Sequence, residues 1–335
     1  MLSDGDQALV ADVLAPGGER QRRAIAKSIT LLESTRADDR ARADLVLNAL
    51  LAGSGQSFLL GISGVPGVGK STFIEALGLF LLPQGHRVAV LAVDPSSSVS
   101  GGSILADKTR MERLAVEPQA FIRPSPTRGT LGGVTATTRE AMLVLEAAGH
   151  DIVIVETVGV GQSEIAVSGM TDMFVLLQLP NAGDDLQAIK RGVMELTDLV
   201  AINKADLDRT AATRAQAQIA SSLRLARRHG QPQERDATRW EPRVLCVSAL
   251  TGVGLDAFWQ AVCDFRTVQG GSGRLAARRH EQDEAWMWER IEALLHARFR
   301  RHPQVAGALP TLAADVRAGR VAASVAARQL IDLLN

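Results

Sequence analysis

The stretch GVPGVGKST, Gly64 to Thr72, lies between an apolar run, FLLGIS, and a helix-like run, FIEALGLFLL. Gly64, Gly69, Lys70 and Ser71 match the pattern G-x-x-x-x-G-K-[ST], in the strand, loop and helix-start context that the pattern requires. The loop of Gly64, Val65, Pro66, Gly67, Val68 and Gly69 is expected to turn backbone N–H groups onto phosphate oxygens, at a helix N-terminus whose partial positive charge favours anions. Lys70 is expected to reach the β and γ phosphates, the Ser71 hydroxyl to ligate magnesium, and Thr72 to complete the nucleotide contacts. A glycine-rich turn that bound nothing would not call for Lys-Ser at its end.

A second group concerns the base. The run DLVAIN leads into Asn203, Lys204 and Asp206, an N-K-x-D. A carboxylate at Asp206 can accept two hydrogen bonds from the guanine ring N–H and amino group, whereas adenine leaves it unpaired. Lys204 is expected along the base, and Asn203 as a tie to the phosphate loop. One strand later, CVSALTG supplies Ser248 and Ala249, where a backbone N–H can meet the guanine carbonyl. Alone the four residues are a weak match; after a phosphate loop, with S-A one strand on, they point to GTP and GDP.

A third group could hold metal and direct water. DIVIVETVGVGQSE ends its strand in Glu156 and continues to Gly159, an E-x-x-G where most GTPases carry D-x-x-G. Glu156 is expected to hold magnesium directly or through water, and the Gly159 N–H to sense the γ phosphate. Val160 follows, where Ras-like enzymes place a water-orienting Gln, so slow intrinsic turnover is expected. Asp94, Asp107 and, less well placed, Gln162 are the remaining candidates near the γ phosphate.

These residues need a scaffold. From Phe58 onward FLLGIS, VAVLAV, AFIRPS, DIVIVE, DMFVLLQL, DLVAIN and RVLCVS alternate with helical patterns, and several are apolar without alternation, as strands covered on both faces should be. An α/β fold with a mostly parallel sheet follows. Residues 1–54 read as a helical extension with Ile25, Ile29 and Leu32 on one face, residues 55–268 as the nucleotide domain, and residues 269–335 as a helical arm. In that arm QGGSGR breaks the chain and residues 274 to 301 form a charged helix with Trp286, Ile291, Leu294 and Leu295 as apolar contacts. HPQVAGALP and an Ala-rich helix to Leu334 follow.

Lys plus Arg and Asp plus Glu number 37 each, and 4% of residues are aromatic with no Tyr, which argues against a nucleic-acid partner. Cys246 and Cys263 form no C-x-x-C, and the start of the chain resembles neither a secretory signal nor an Arg-rich transit peptide. No stretch reaches the roughly 18 to 20 apolar residues that span a bilayer. A soluble cytoplasmic protein is expected.

The blocks LAVDPSSSVSGGSILADKTRM, FIRPSPTRGTLGGVTATT, VETVGVGQSE, AGDDLQAIKRG and VAINKAD resemble the MeaB/ArgK family of GTPases, chaperones of adenosylcobalamin-dependent acyl-CoA mutases. The likeness spans roughly residues 20 to 270, in family order. It implies a P-loop fold of the signal-recognition and nitrogenase-iron-protein class, a homodimer joined through the C-terminal arm, and magnesium with GTP or GDP. It also implies a mutase partner, typically methylmalonyl-CoA mutase, through which alone adenosylcobalamin is engaged, and the adenosyltransferase supplying that cobalamin as a further partner. By the same resemblance Ser71, Asp94, Asp107 and Glu156 are the magnesium and hydrolysis residues, while Asp184 and Lys190, like Gln162, belong to switch segments. The family usually reads P-G-A-G-D-E-L-Q where this chain has PNAGDDLQ, with Asn181 and Asp185 as departures, so methylmalonyl-CoA mutase, 2-hydroxyisobutyryl-CoA mutase and other acyl-CoA mutases all stay open as clients. A phosphotransferase finds no identifiable acceptor pocket in the sequence. A nickel-insertion GTPase finds only scattered His and Cys, including His296 and His302 near one helix end.

Overall fold

Seven runs of strand length become seven parallel strands of one sheet, in the order β3-β2-β4-β1-β5-β6-β7. The computed structural model describes residues 1–94, 111–126, 131–157, 163–180, 191–228 and 240–334. The strands are β1 (Phe58–Gly64), β2 (Val88–Asp94), β3 (Ala120–Pro126), β4 (Ile152–Thr157), β5 (Met173–Gln178), β6 (Leu199–Ile202) and β7 (Arg243–Cys246). β1, β4, β5 and β6 are buried along their whole length, which is why their sequences do not alternate.

The helices are α1 (Asp4–Val13), α2 (Gly18–Leu32), α3 (Ala37–Leu50), α4 (Lys70–Leu81), α5 (Glu112–Ala115), α6 (Leu131–Ala147), α7 (Ser163–Ser168), α8 (Arg191–Leu196), α9 (Arg209–Arg228), α10 (Leu255–Gly271), α11 (Arg274–Arg301), α12 (Pro303–Arg317) and α13 (Ala323–Asp332). Contacts divide the chain into a larger unit, Met1–His280, and a smaller one, Glu281–Asn335.

In the larger unit one core lies between the sheet and α4 and α10: Phe58, Leu60, Ile62, Ile152 and Ile154 meet Phe73, Leu77, Phe258 and Phe265. Side chains one position out of phase, Leu59, Val153 and Val155, enter a second core with Ile25, Ile29 and Leu50 of the helical extension and with α6. Residues 1–54 therefore pack together with α6 over one face of the sheet. Ile25 and Ile29 are 1% and 2% exposed, each contributing about 2 kcal/mol of burial. A third cluster seats α9 on β5, β6 and β7 through Leu176, Val200, Ile202 and Ile219.

Polar contacts set the helices around the amino end of β3. Glu75 on α4 accepts the N–H groups of Arg113 at 2.8 Å and Leu114 at 3.4 Å, capping α5. From the other side Arg22 on α2 donates to the carbonyl oxygens of Ala120 at 2.7 Å and Ala115 at 3.1 Å.

The break expected in QGGSGR lies between α10 and α11, with Gly273 in left-handed backbone. HPQVAGALP, expected to precede the last helix, is instead largely helical. Pro303 starts α12, where a missing N–H costs nothing, and Pro310 sits inside the helix. The Ala-rich segment is thus two helices, α12 and α13, with Val305, Ala326 and Leu330 buried. Leu294 and Leu295 on α11 are exposed.

Candidate functional site: a phosphate loop strapped to a base loop

β1 delivers Gly64 to the carboxyl edge of the sheet, and Gly69 caps α4 with φ 90°. A Cβ on Gly64 would meet the Leu177 carbonyl oxygen at 2.6 Å, and one on Gly69 would meet Asn203 Nδ2 at 2.9 Å, so the loop closes only with glycine at both. Lys70 is 7% exposed and donates from Nζ to the carbonyl oxygens of Gly64 at 2.7 Å and Val65 at 3.4 Å. The ammonium therefore lies across the mouth of a loop that ends in a helix start, where the partial positive charge of the helix favours an anion. Val68 is buried beneath it, while Pro66, Gly67 and Thr72 are exposed.

Register then brings β4 to this loop. Ile62 pairs with Glu156, and Glu156 follows Ile152 and Ile154 onto the face that α4 covers. There Ser71 Oγ donates to Glu156 Oε1 at 3.2 Å, with Glu156 6% exposed. A hydroxyl and a carboxylate at this spacing are hard oxygen donors. They fit magnesium, which takes one or two protein oxygens and fills its octahedron with phosphate oxygens and water. Among the described residues no three His, Cys, Asp or Glu side chains gather into a metal cluster, so such an ion would rest on this mixed pair. β2 carries the backbone of Asp94 to the same edge, one step beyond the Val93–Thr157 pairing. Asp107, Gly159, Gln162, Asp184 and Lys190 lie outside the described residues.

The base loop is tied to the phosphate loop at two points. Asn203, 1% exposed, donates from Nδ2 to the Val68 carbonyl at 2.8 Å, and its Oδ1 accepts the Ala249 N–H at 3.1 Å. Lys204 donates from Nζ to the Gly67 carbonyl at 2.9 Å and adopts φ 59°, left-handed backbone that costs a lysine roughly 1–2 kcal/mol. Ala205 N–H donates to the Val247 carbonyl at 3.1 Å, joining the two base-side loops, and Asp206 stands exposed beyond them. Ser248 N–H donates to the Val253 carbonyl at 2.9 Å, so the N–H groups of both Ser248 and Ala249 are engaged within the loops. A guanine carbonyl would share one of them as a bifurcated bond.

Two contacts at this edge have no signature in the sequence. Thr157 Oγ1 donates to Ser63 Oγ at 2.8 Å between fully buried residues, on the face opposite Glu156, and so locks the phosphate-loop strand to β4. The Lys204 conformation is the other. Only the register of strands far apart in the chain reveals the first, and no residue type announces the second.

Residues 25–304 match the family model described as methylmalonyl Co-A mutase-associated GTPase MeaB. The chain belongs to the MeaB family of GTPases. A probable GTPase of Mycobacterium tuberculosis is 50% identical over 320 residues, covering 95% of this chain and 93% of that protein. GTPase ArgK of Escherichia coli is 46% identical over 288 residues, 86% of this chain and 85% of that one. Among solved structures, one described as LAO/AO transport system kinase superposes with a TM-score of 0.73 at 34% identity, covering 100% of this chain and 99% of that chain. This MeaB-family chain is thus a GTPase with the P-loop fold. Among its described residues no helix is long and apolar enough to cross a membrane.

Proposed function

We propose that this GTPase is a chaperone whose nucleotide state gates the loading of adenosylcobalamin into an acyl-CoA mutase, methylmalonyl-CoA mutase before others, and protects or restores that enzyme. The family's association with methylmalonyl-CoA mutase supports the client class. The observation that carries the chemistry is the Ser71–Glu156 contact beside Lys70, at a loop strapped by Asn203 to the base-side turn.

In this reading Asp206 holds the guanine edge and Asn203 and Lys204 keep the base loop in register with the phosphates. Lys70 neutralises charge on the β and γ phosphates as water attacks the γ phosphorus and the bond to the β-phosphate oxygen breaks, giving GDP and phosphate. Ser71 and Glu156 would hold magnesium, which supplies further neutralisation of the same phosphate charge. Asp94 and Asp107 are assigned to the magnesium shell and to water, and Gly159, Gln162, Asp184 and Lys190 to the segments that answer to the γ phosphate. A homodimer in the cytoplasm completes the proposal.

Hydrolysis measured with and without purified mutases tests it. Slow turnover is expected alone, rising at least severalfold with the cognate mutase. Rates unchanged by methylmalonyl-CoA mutase, 2-hydroxyisobutyryl-CoA mutase and other acyl-CoA mutases would remove the chaperone assignment and leave the GTPase.

A further inference from the structure

The two oxygens assigned to magnesium ride on different strands. Ser71 lies in the first turn of α4, whose Phe73, Ile74 and Leu77 share a core with Leu60 and Ile62, so its place follows β1. Glu156 belongs to β4. The 3.2 Å between Ser71 Oγ and Glu156 Oε1 therefore depends on how far apart β1 and β4 stand at their carboxyl ends.

Backbone pairing holds those ends unevenly. The ladder between β1 and β4 runs from Phe58–Ile152 to Ile62–Glu156 and stops, while β1 stays paired with β5 as far as Gly64 and β4 with β2 as far as Thr157. Past Glu156 each strand is thus paired on its outer side alone. Side chains cross the gap: Thr157 Oγ1 donates to Ser63 Oγ at 2.8 Å, the two residues being 0% and 1% exposed. Ser63 immediately precedes Gly64 of the phosphate loop, and Thr157 immediately follows Glu156. By strand alternation both hydroxyls lie on the face of Leu59, Val153 and Val155, opposite the Glu156 carboxylate, so the bond reaches the site through the backbone.

We propose that Ser63 and Thr157 are positioning residues for the magnesium-bound nucleotide: their hydrogen bond fixes where β4 parts from β1 and, with it, the spacing of Ser71 and Glu156. The inference rests on the assignment of magnesium to that pair made above. Magnesium demands near-ideal octahedral geometry, so widening the distance between two of its protein oxygens weakens it. Each hydroxyl has the other as its side-chain partner among the described residues. Thr157→Val orphans the buried hydroxyl of Ser63, Ser63→Ala orphans that of Thr157, and either change is expected to lower the melting temperature. The double variant leaves no orphan and is expected to recover most of that loss.

Affinity for a fluorescent non-hydrolysable GTP analogue, measured on the full chain with magnesium and with EDTA, tests the proposal alongside thermal melting. The ratio of the two affinities is the gain that magnesium confers. In both single variants and in the double variant this gain is expected to shrink about threefold to tenfold, less than the roughly 10- to 100-fold typical when a partner bonded directly to a metal ligand is lost. Affinity in EDTA is expected to stay within about twofold, because the phosphate and base loops keep their own contacts. Thr157→Ser, which keeps a hydroxyl, is expected to retain the gain. A gain that returns in the double variant together with its melting temperature would reduce the pair to a structural role, as would equal losses of affinity with magnesium and with EDTA; either result overturns the proposal. Glu156→Gln separates this inference from the reading beneath it. A magnesium gain absent from the unmodified chain, or unchanged in Glu156→Gln, would remove the magnesium assignment itself. A gain reduced in Glu156→Gln but intact in the Ser63 and Thr157 variants would sink only this inference.

Discussion

Asp206 and Asn203 belong to one motif and do different work. Asn203 is 1% exposed with its amide nitrogen spent on Val68 and its oxygen on Ala249, so it is scaffold. Asp206 is exposed at the turn, and its carboxylate is the group in that loop suited to reading a base edge. Asp206→Asn replaces one acceptor by a donor. GTP affinity is expected to fall about tenfold to a hundredfold, the scale of a lost hydrogen bond to a charged group, while xanthosine triphosphate, with a carbonyl where guanine has an amino group, gains. Titration calorimetry with both nucleotides reads this directly, and unchanged GTP affinity would show that the base lies elsewhere. Residue types at fixed spacing made this site legible, because a glycine loop, a lysine and an N-K-x-D each solve a problem of local chemistry. The Ser63–Thr157 bond and the left-handed Lys204 were not legible, because neither is announced by a residue type and the first depends on which distant strands become neighbours.

Elements were legible where burial is strong and opaque where it is not. Continuous apolar runs announced all seven strands, and the helical face carrying Ile25, Ile29 and Leu32 announced the extension. Strand order was not readable, since β1 pairs with β4 and β5 rather than with its neighbours in sequence. The helices α5, α7 and α8 are too short to show a period, and they are held by side-chain bonds and packing against longer elements. The end of α6 yields a prediction about such a junction. His150 is 4% exposed, and burial above all, with the nearby Arg87 cation, pushes its pKa down to about 4. Its Nδ1 faces the Leu145 carbonyl oxygen at 3.2 Å, so the ring is a neutral donor inside the core. Because the folded pKa lies below the unfolded value near 6.5, this stabilisation is present above about pH 6.5 and is lost as pH falls towards 4. Its full size is about 3 kcal/mol, an order-of-magnitude figure. Denaturant midpoints taken from pH 7 to pH 4 are expected to fall less steeply in His150→Gln than in the unmodified chain; parallel curves would mean that other groups carry the acid limb.

On the scale of the whole molecule, the nucleotide residues lie in the larger unit and an exposed apolar stripe on α11 lies in the smaller one. Every described residue assigned to GTP belongs to Met1–His280, whereas Glu281–Asn335 exposes Met287, Trp288, Leu294 and Leu295 by 50% to 60% of their area. Met287, Ile291, Leu294 and Leu295 recur at helical intervals on α11, a stripe rather than scattered single residues. Such a stripe on an otherwise charged helix is unfavourable in water and gains about 25 cal/mol for each Å² it covers, which a second copy of the arm can supply from its own stripe. Homodimerisation through this surface predicts that the double variant Leu294→Asp, Leu295→Asp sediments as a monomer at concentrations where the unmodified chain is a dimer. GTP affinity is expected to stay within about twofold, because no nucleotide contact changes. A double variant that remains dimeric would place the contact between copies on another surface, and an unmodified chain that sediments as a monomer would leave the stripe to the mutase.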